Sequence, residues 1–241
     1  MISIVLATAC ALVWGTSDFC GGKSSQRASA LAVTVVSQVA ALPVLLVGLL
    51  VVPGTARVTD LGWGLLGGAA GLAGIVLLYR GLSTGAMAVI SPVTALTAAV
   101  VPLAIGLVLE GGLSPLGYVG TACAVAAIAL VSASPAGGGR VTRGAVGLAL
   151  AAGASFGVFF VIVGQAHPDS GLWVLVGVRL ASIPLGLMMA ARTRPPLRLP
   201  RASVPWAVAA GSLDLLANIL FLLAATRGHL GVVAVLASLY P

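Results

Sequence analysis

Asp214 and Asn218 stand four positions apart inside an almost unbroken apolar stretch, Gly211 to Pro241. On a helix that spacing puts both on one face, one above the other. A carboxylate at a bilayer centre costs about 2.5–3.5 kcal/mol on insertion scales, so such residues face a bundle interior, a wet path or a partner charge. The two therefore read as a polar floor for a cavity between helices. Asp214 is suited to hold a substrate ammonium group or to take up a proton. The competing reading is a structural ion pair, with Asn218 as its hydrogen-bonding neighbour or as interhelical glue.

Arg179 lies in mid-run, too far from either end of its apolar stretch to snorkel easily. It is a partner for Asp214, or a bidentate clamp for a substrate carboxylate. Gln38 places a polar group at the matching point of the first half. Asp18 ends the first apolar run near Lys23, where an interfacial salt bridge is expected and a proton-sensing role is the alternative. Trp14 lines the cavity mouth, or packs, or faces lipid. Tyr79 and Arg80 read as an aromatic-basic interface anchor. Glu110 caps or stops a helix, and Tyr240 with Pro241 would interrupt a last helix near the cavity.

The elements that must carry these groups follow from composition. Of 241 residues, 60% are hydrophobic and 7% charged, against about 25% charged in soluble domains. With mean hydropathy +1.18, the chain has too few charges to cover a water-facing surface, so lipid is its solvent. The 32 glycines suit helices that pack closely in lipid. The net charge of +7 sits in loops without a clustered, aromatic-interleaved basic face, which excludes nucleic-acid binding. Cys10, Cys20 and Cys123 lack CxxC spacing and read as buried small hydrophobes. The first basic residue, Lys23, follows the first apolar run, so that run is a retained span rather than a signal peptide.

Breaks at Gly, Pro and charge clusters give apolar runs of bilayer-spanning length at 2–20, 29–52, 61–80, 85–109, 114–134, 144–166, 171–191 and 203–226. A ninth begins near Gly231 and is expected to be cut short at Pro241. The spacings Gly67/Gly71 and Gly153/Gly157 predict close helix contact within the bundle rather than a dimer seam. Pro43, Pro92, Pro102 and Pro184 fall within spans and soften them.

The two sides of the glycine-rich linker PAGGGRVTR resemble each other. Trp14-Gly15 corresponds to Phe156-Gly157, SQVAALP to VRLASIP, and the stretch from Trp63 to that from Trp206. The offsets stay near 141–143 positions, the mark of an internal repeat. Residues 1–135 form a first repeat of five spans, 136–143 a linker, and 144–241 a second, truncated repeat. An odd span count turns the second copy over in the membrane, the inverted-repeat plan. Lys23, Arg27, Arg80, Arg140, Arg143, Arg192, Arg194, Arg198 and Arg201 fall in loops on one side and Arg57 and Arg227 on the other. That bias places the first side in the cytoplasm and the N-terminus outside.

Four stretches carry a further likeness: ALVWGTSDF, YRGLSTGAMAVISPVTALTAAVVP, LEGGLSPLGYVG and GHLGVVAVLASLYP. With these the chain resembles the EamA family of the drug/metabolite transporter superfamily. The resemblance implies an all-α integral membrane protein, a bundle of two inverted five-helix repeats. Of its ten helices, about eight full spans and the start of a ninth are here. It also implies transport of small metabolites, often export. The family's glycine-glutamate pair after helix four appears as Leu109-Glu110, and the matching element of the second repeat would lie beyond residue 241.

The expected function is that of a secondary-active transporter, an exporter of a small metabolite, amino-acid-like compound or drug by alternating access. The alternative is a lipid-linked sugar flippase or a structural membrane bundle. There is no GxxxxGK[ST] loop for ATP. An enzyme is not expected, because His167 and His229 lie by loops and Ser91 and Ser155 lack an evident base. No cofactor or metal is expected. The expected partners are a small solute, protons and the bilayer, with a homodimer allowed and no nucleic acid. Scarce Lys beside abundant Ala, Gly, Val and Arg points to a GC-rich bacterial genome, hence a multi-pass protein of a bacterial cell membrane.

Overall fold

A computed structural model describes residues 2–84, 87–109, 118–119, 122–123, 126, 142–193 and 198–239. Most of the expected fifth span and of the linker, with Glu110, Tyr240 and Pro241, lie outside the described residues. The rest is helix, joined by short turns: α1 Ile2–Ser25, α2 Ala30–Ala40, α3 Leu42–Val51, α4 Val58–Leu82, α5 Met87–Leu109, α6 Arg143–Val163, α7 Trp173–Thr193, α8 Val204–Ala225 and α9 Leu230–Ala237. Taking α2 and α3 together as one span, seven segments among the described residues are long and apolar enough to cross a bilayer. With lipid as solvent every backbone group must be paired within the segment, which selects helix for each run. The protein is a multi-pass membrane bundle.

Residues 29–52, expected as one helix, form two that meet at Ala41. Pro43 sits in the first turn of α3, where its missing N–H breaks no helical bond. The expectation of buried cysteines fails for Cys123, which is exposed, while Cys10 and Cys20 are buried and unpaired.

Contacts fix the direction of every helix. Between α1 and α8, Cys10 meets Ala217, Ser17 meets Ala210 and Ser24 meets Ser203, so these helices are antiparallel. Between α4 and α6, Gly67 faces Val163 and Gly74 faces Phe156, again antiparallel. Between α4 and α7, Gly64 faces Val174 and Gly68 faces Val178, which is parallel. Gly211 of α8 lies on Ser37 of α2, and Ile219 on Gly48 of α3, also parallel. Gln38 meets Arg179 while Val35 meets Gly186, so α2 and α7 are antiparallel. Thr94 meets Ala149 and Val101 meets Gly157, so α5 and α6 are parallel. Gly231 faces Leu103 and Val235 packs with Ala99, so α9 opposes α5.

The sum is simple. Helices α1, α4, α7 and α9 run one way; α2, α3, α5, α6 and α8 run the other. Each of α6, α7 and α8 runs opposite to the helix 141–143 positions earlier, α1, α2 and α4 respectively. Helix α5 ends, and α6 begins, at opposite ends of the bundle.

The crossings repeat with the same exchange. Helix α1 packs on α8 as α6 packs on α4. Helix α8 crosses α2 at Gly211 as α4 crosses α7 at Gly68. At both glycines an added methyl would overlap the carbonyl of the facing residue, Ser37 and Val178 respectively. Backbone is thereby brought against backbone, the close approach that small residues permit in lipid. Gly67, Gly71, Gly153 and Gly157 all contact neighbouring helices inside the bundle, as expected.

The helix directions sort the described charges. Lys23, Arg27, Arg80, Arg143, Arg192, Arg198 and Arg201 gather at one end, the basic end; Arg57 and Arg227 lie at the other.

Candidate functional site

Arg179, in the second turn of α7, is buried. Its Nη2 donates to Asp214 Oδ2 at 3.0 Å, with the two side chains 6% and 17% exposed. Its Nη1 donates to Gln38 Oε1. The same Gln38 oxygen accepts from Ser182 Oγ at 2.9 Å. Asn218, one turn beyond Asp214, donates its Nδ2 to Asp214 Oδ1 at 3.2 Å and to the Asp214 carbonyl at 2.7 Å. The i,i+4 spacing thus does what a helix makes it do, stacking amide on carboxylate.

The guanidinium, carboxylate and two amides form one network across α2, α7 and α8. An isolated ion here would be costly, and the pair is tolerated because each charge finds an opposite charge and additional hydrogen bonds. Three atoms of the surrounding site remain unsatisfied among the described residues: Arg179 Nε, Asn218 Oδ1 and Asp18 Oδ2.

This network walls a cavity of about 40 Å³ at the meeting of the two halves. At roughly 10–15 Å³ of such space per water, it holds a few waters and no larger solute in this conformation. Trp14, Ser17 and Asp18 line it from α1, and Gly71, Ile75 and Tyr79 from α4. Phe156, Phe159 and Phe160 line it from α6. The wall residues fall in pairs 141–143 positions apart: Trp14 with Phe156, Ser17 with Phe159, Asp18 with Phe160, Gln38 with Arg179, Gly71 with Asp214, Ile75 with Asn218. The positions match but their chemistry does not. Helices α1 and α8 contribute both carboxylates, while the equivalent faces of α6 and α4 are aromatic and apolar.

Six of the seven residues singled out from the sequence therefore share one cavity: Asp214, Asn218, Arg179, Gln38, Trp14 and Asp18. Tyr240, the seventh, lies outside the described residues. Trp14 is buried, its ring 5.2 Å from that of Phe160 and 5.8 Å from that of Phe221.

Two expectations are corrected. Asp18 forms no salt bridge with Lys23; its carboxylate turns into the bundle. Five positions on a helix rotate a side chain about 140° from its partner, whereas pairs meet at three or four. Tyr79 is no interface anchor: it is buried, lines the cavity, and its ring covers Gly21 of α1. Arg80 alone remains exposed. Helical spacing could have found Tyr79, since four residues on from Ile75 it shares the face of α4 that lines the cavity.

At the other end from the basic loops, a second polar cluster ties loop to loop. Buried Asp60, at the start of α4, accepts from the His167 backbone N–H through Oδ1 at 3.1 Å. Arg57 reaches Asp169 at 3.6 Å, and Thr55 N donates to the Asp169 carbonyl at 2.9 Å. Gly171 takes φ 57 beside Pro53, a left-handed turn that glycine adopts without strain. Of this cluster the sequence pointed only to His167, to which no chemistry was given, and to Arg57, as a loop charge.

Among the described residues no group of His, Cys, Asp and Glu could hold a metal ion. What the site offers is recognition: a paired buried charge, spare acceptors and donors, and aromatic walls, in a bundle of membrane-spanning helices. Polar and ionisable groups gathered in this way inside membrane-spanning helices are costly and face the bundle interior or a wet cavity. The model of the EamA-like transporter family matches residues 1–133, and the chain belongs to that family. No curated protein matches it.

Proposed function

We propose that this protein is a secondary-active transporter that carries a small solute across a bacterial cell membrane by alternating access, in the direction of export. Its plan is two repeats of opposite orientation, residues 1–135 and 144–241, joined by the linker 136–143. Reversal of α6, α7 and α8 relative to α1, α2 and α4 supports that plan. So does the repetition of each helix crossing under exchange of the halves. By the charge bias of loops, the basic end is cytoplasmic.

The observation that carries the transporter reading is the Arg179–Asp214–Gln38–Asn218 network at the contact between the halves. A structural bundle gains little from a buried ion pair, which is often no better than apolar packing. At the hinge between two rocking units, the same pair is a solute site that both faces can reach in turn. The small cavity then corresponds to a closed state, and loading requires the halves to part at one end.

The test is flux through the purified protein in liposomes, with and without a pH gradient, across labelled amino acids, amines, sugars and cationic drugs. Saturable flux is expected, falling at least tenfold in Asp214→Asn. Undiminished flux in that variant removes Asp214 from the mechanism. Lipid scrambling without any solute flux would replace the transporter with a flippase.

A further inference from the structure

Asp18 is shared by two cavities. One is the narrow central site. The other, of about 190 Å³, lies between α1, the end of α4 and the start of α5, near the basic end. Phe19, Leu82, Met87 and Ala88 give this second cavity an apolar lining, and Ser91 adds a hydroxyl. Asp18 makes no hydrogen bond or ion pair among the described residues, and its Oδ2 is buried.

Charge and space together define what fits. Arg179, the cation lining the central cavity, is committed to Asp214 and Gln38. Asp18 is the carboxyl left without a cation beside it among the described residues, and it is the one bordering the larger space. An apolar cavity of about 150 Å³ accommodates a benzene ring. An ammonium brings three donors, which Asp18 and the Ser91 hydroxyl can meet, and an ion pair formed away from water is stronger than in bulk.

Resting on the transporter reading, we propose that Asp18 and this second cavity form the loading site for an organic monocation, a protonated amine carrying a small apolar body, admitted from the basic end. The ammonium seats on Asp18 and the body lies against Phe19, Leu82 and Met87. The Arg179–Asp214 pair stays closed while this site fills.

The experiment uses three probes of matched ring and chain: phenethylamine, phenylacetate and phenylalanine. Their binding to the purified protein in nanodiscs is measured by equilibrium dialysis. Saturable binding of phenethylamine is expected, with phenylacetate not competing and phenylalanine at least tenfold weaker. Asp18→Asn should weaken phenethylamine at least tenfold, Asp18→Glu should retain most of it, and exposed Asp169→Asn should leave it unchanged. Ala88→Phe, which fills the cavity without touching the charge, should weaken it comparably. Thermal melts identify any variant whose fold is lost, and Ala88→Phe then decides. Equal binding by wild type and Asp18→Asn overturns the proposal, as does preference for phenylacetate or phenylalanine. If some other solute crosses liposomes under Asp214 control while amines neither bind nor cross, the cation site fails and the transporter stands. If amines bind through Asp18 and nothing crosses, the transporter reading fails instead.

Discussion

Arg179 and Gln38 are 141 positions apart in the chain and touch. They stand at the offset that relates the matching stretches of the two halves of the sequence. In the two-repeat plan proposed above, such a contact falls where the halves meet. The rest of the polar network is built outward from it.

The first prediction concerns the pair itself. Asp214→Leu alone leaves a guanidinium buried without a counter-ion, which costs about 3–5 kcal/mol; the partial exposure of Asp214 places this case at the lower end. Adding Arg179→Met should recover most of that loss in a thermal melt, while flux stays absent. A double variant as unstable as the single one would show that the pair's partners, not its charges, hold the helices.

Backbone contact at the two glycines gives the second. Gly211→Ala and Gly68→Ala each place a methyl on a carbonyl, and overpacking of a tight contact costs about 1–3 kcal/mol or more. Both should lower the melting temperature in detergent, whereas Gly62→Ala, with open space around it, should not. Equal behaviour of all three would mean that the crossings are looser than described.

The loop cluster gives a third. Asp60→Ala removes the carboxylate that holds the His167 amide, a hydrogen bond to a charged group worth about 1.5–3 kcal/mol. Amide exchange at 164–172 should quicken by about tenfold or more, and exchange at the basic end should be unaffected. Unchanged exchange at 164–172 would assign the hold to Arg57–Asp169 and the Thr55 bond instead.

A fourth prediction uses the antiparallel register of α1 and α8. In a background without native cysteines, Ser24→Cys with Ser203→Cys should cross-link, since the Ser24 hydroxyl lies 3.1 Å from the Ser203 carbonyl. If the halves part at the basic end to load solute, the cross-link stops flux and a reducing agent restores it. Flux through the oxidised protein would place the opening elsewhere.

Much of this was legible in the residues. Lipid as solvent, the span pattern and the stacked Asp214 and Asn218 follow from composition and helical spacing. The link between Gln38 and Arg179 came from the repeat, yet nothing in the sequence said that the two would meet, because an offset does not locate an axis. The aromatic wall of Phe156, Phe159 and Phe160 was hidden for a different reason. In a chain this apolar, a phenylalanine that faces a cavity and one that faces acyl chains have the same neighbours in sequence. Tyr79 was misplaced because position near a span's end outweighed its place on the inward face. The break at Ala41 was masked by Pro43, which a second helix accepts in its first turn as readily as a single helix accepts it as a kink.

The neutrality of the central pair bears on how the protein responds to voltage. A full elementary charge moved across the membrane potential gains or loses about 2.3 kcal/mol per 100 mV. Arg179 and Asp214, moving together, sum to zero and feel almost none of it. In the proposed transport cycle, the described group of this site on which the potential can still act is Asp18, together with any charge seated on it.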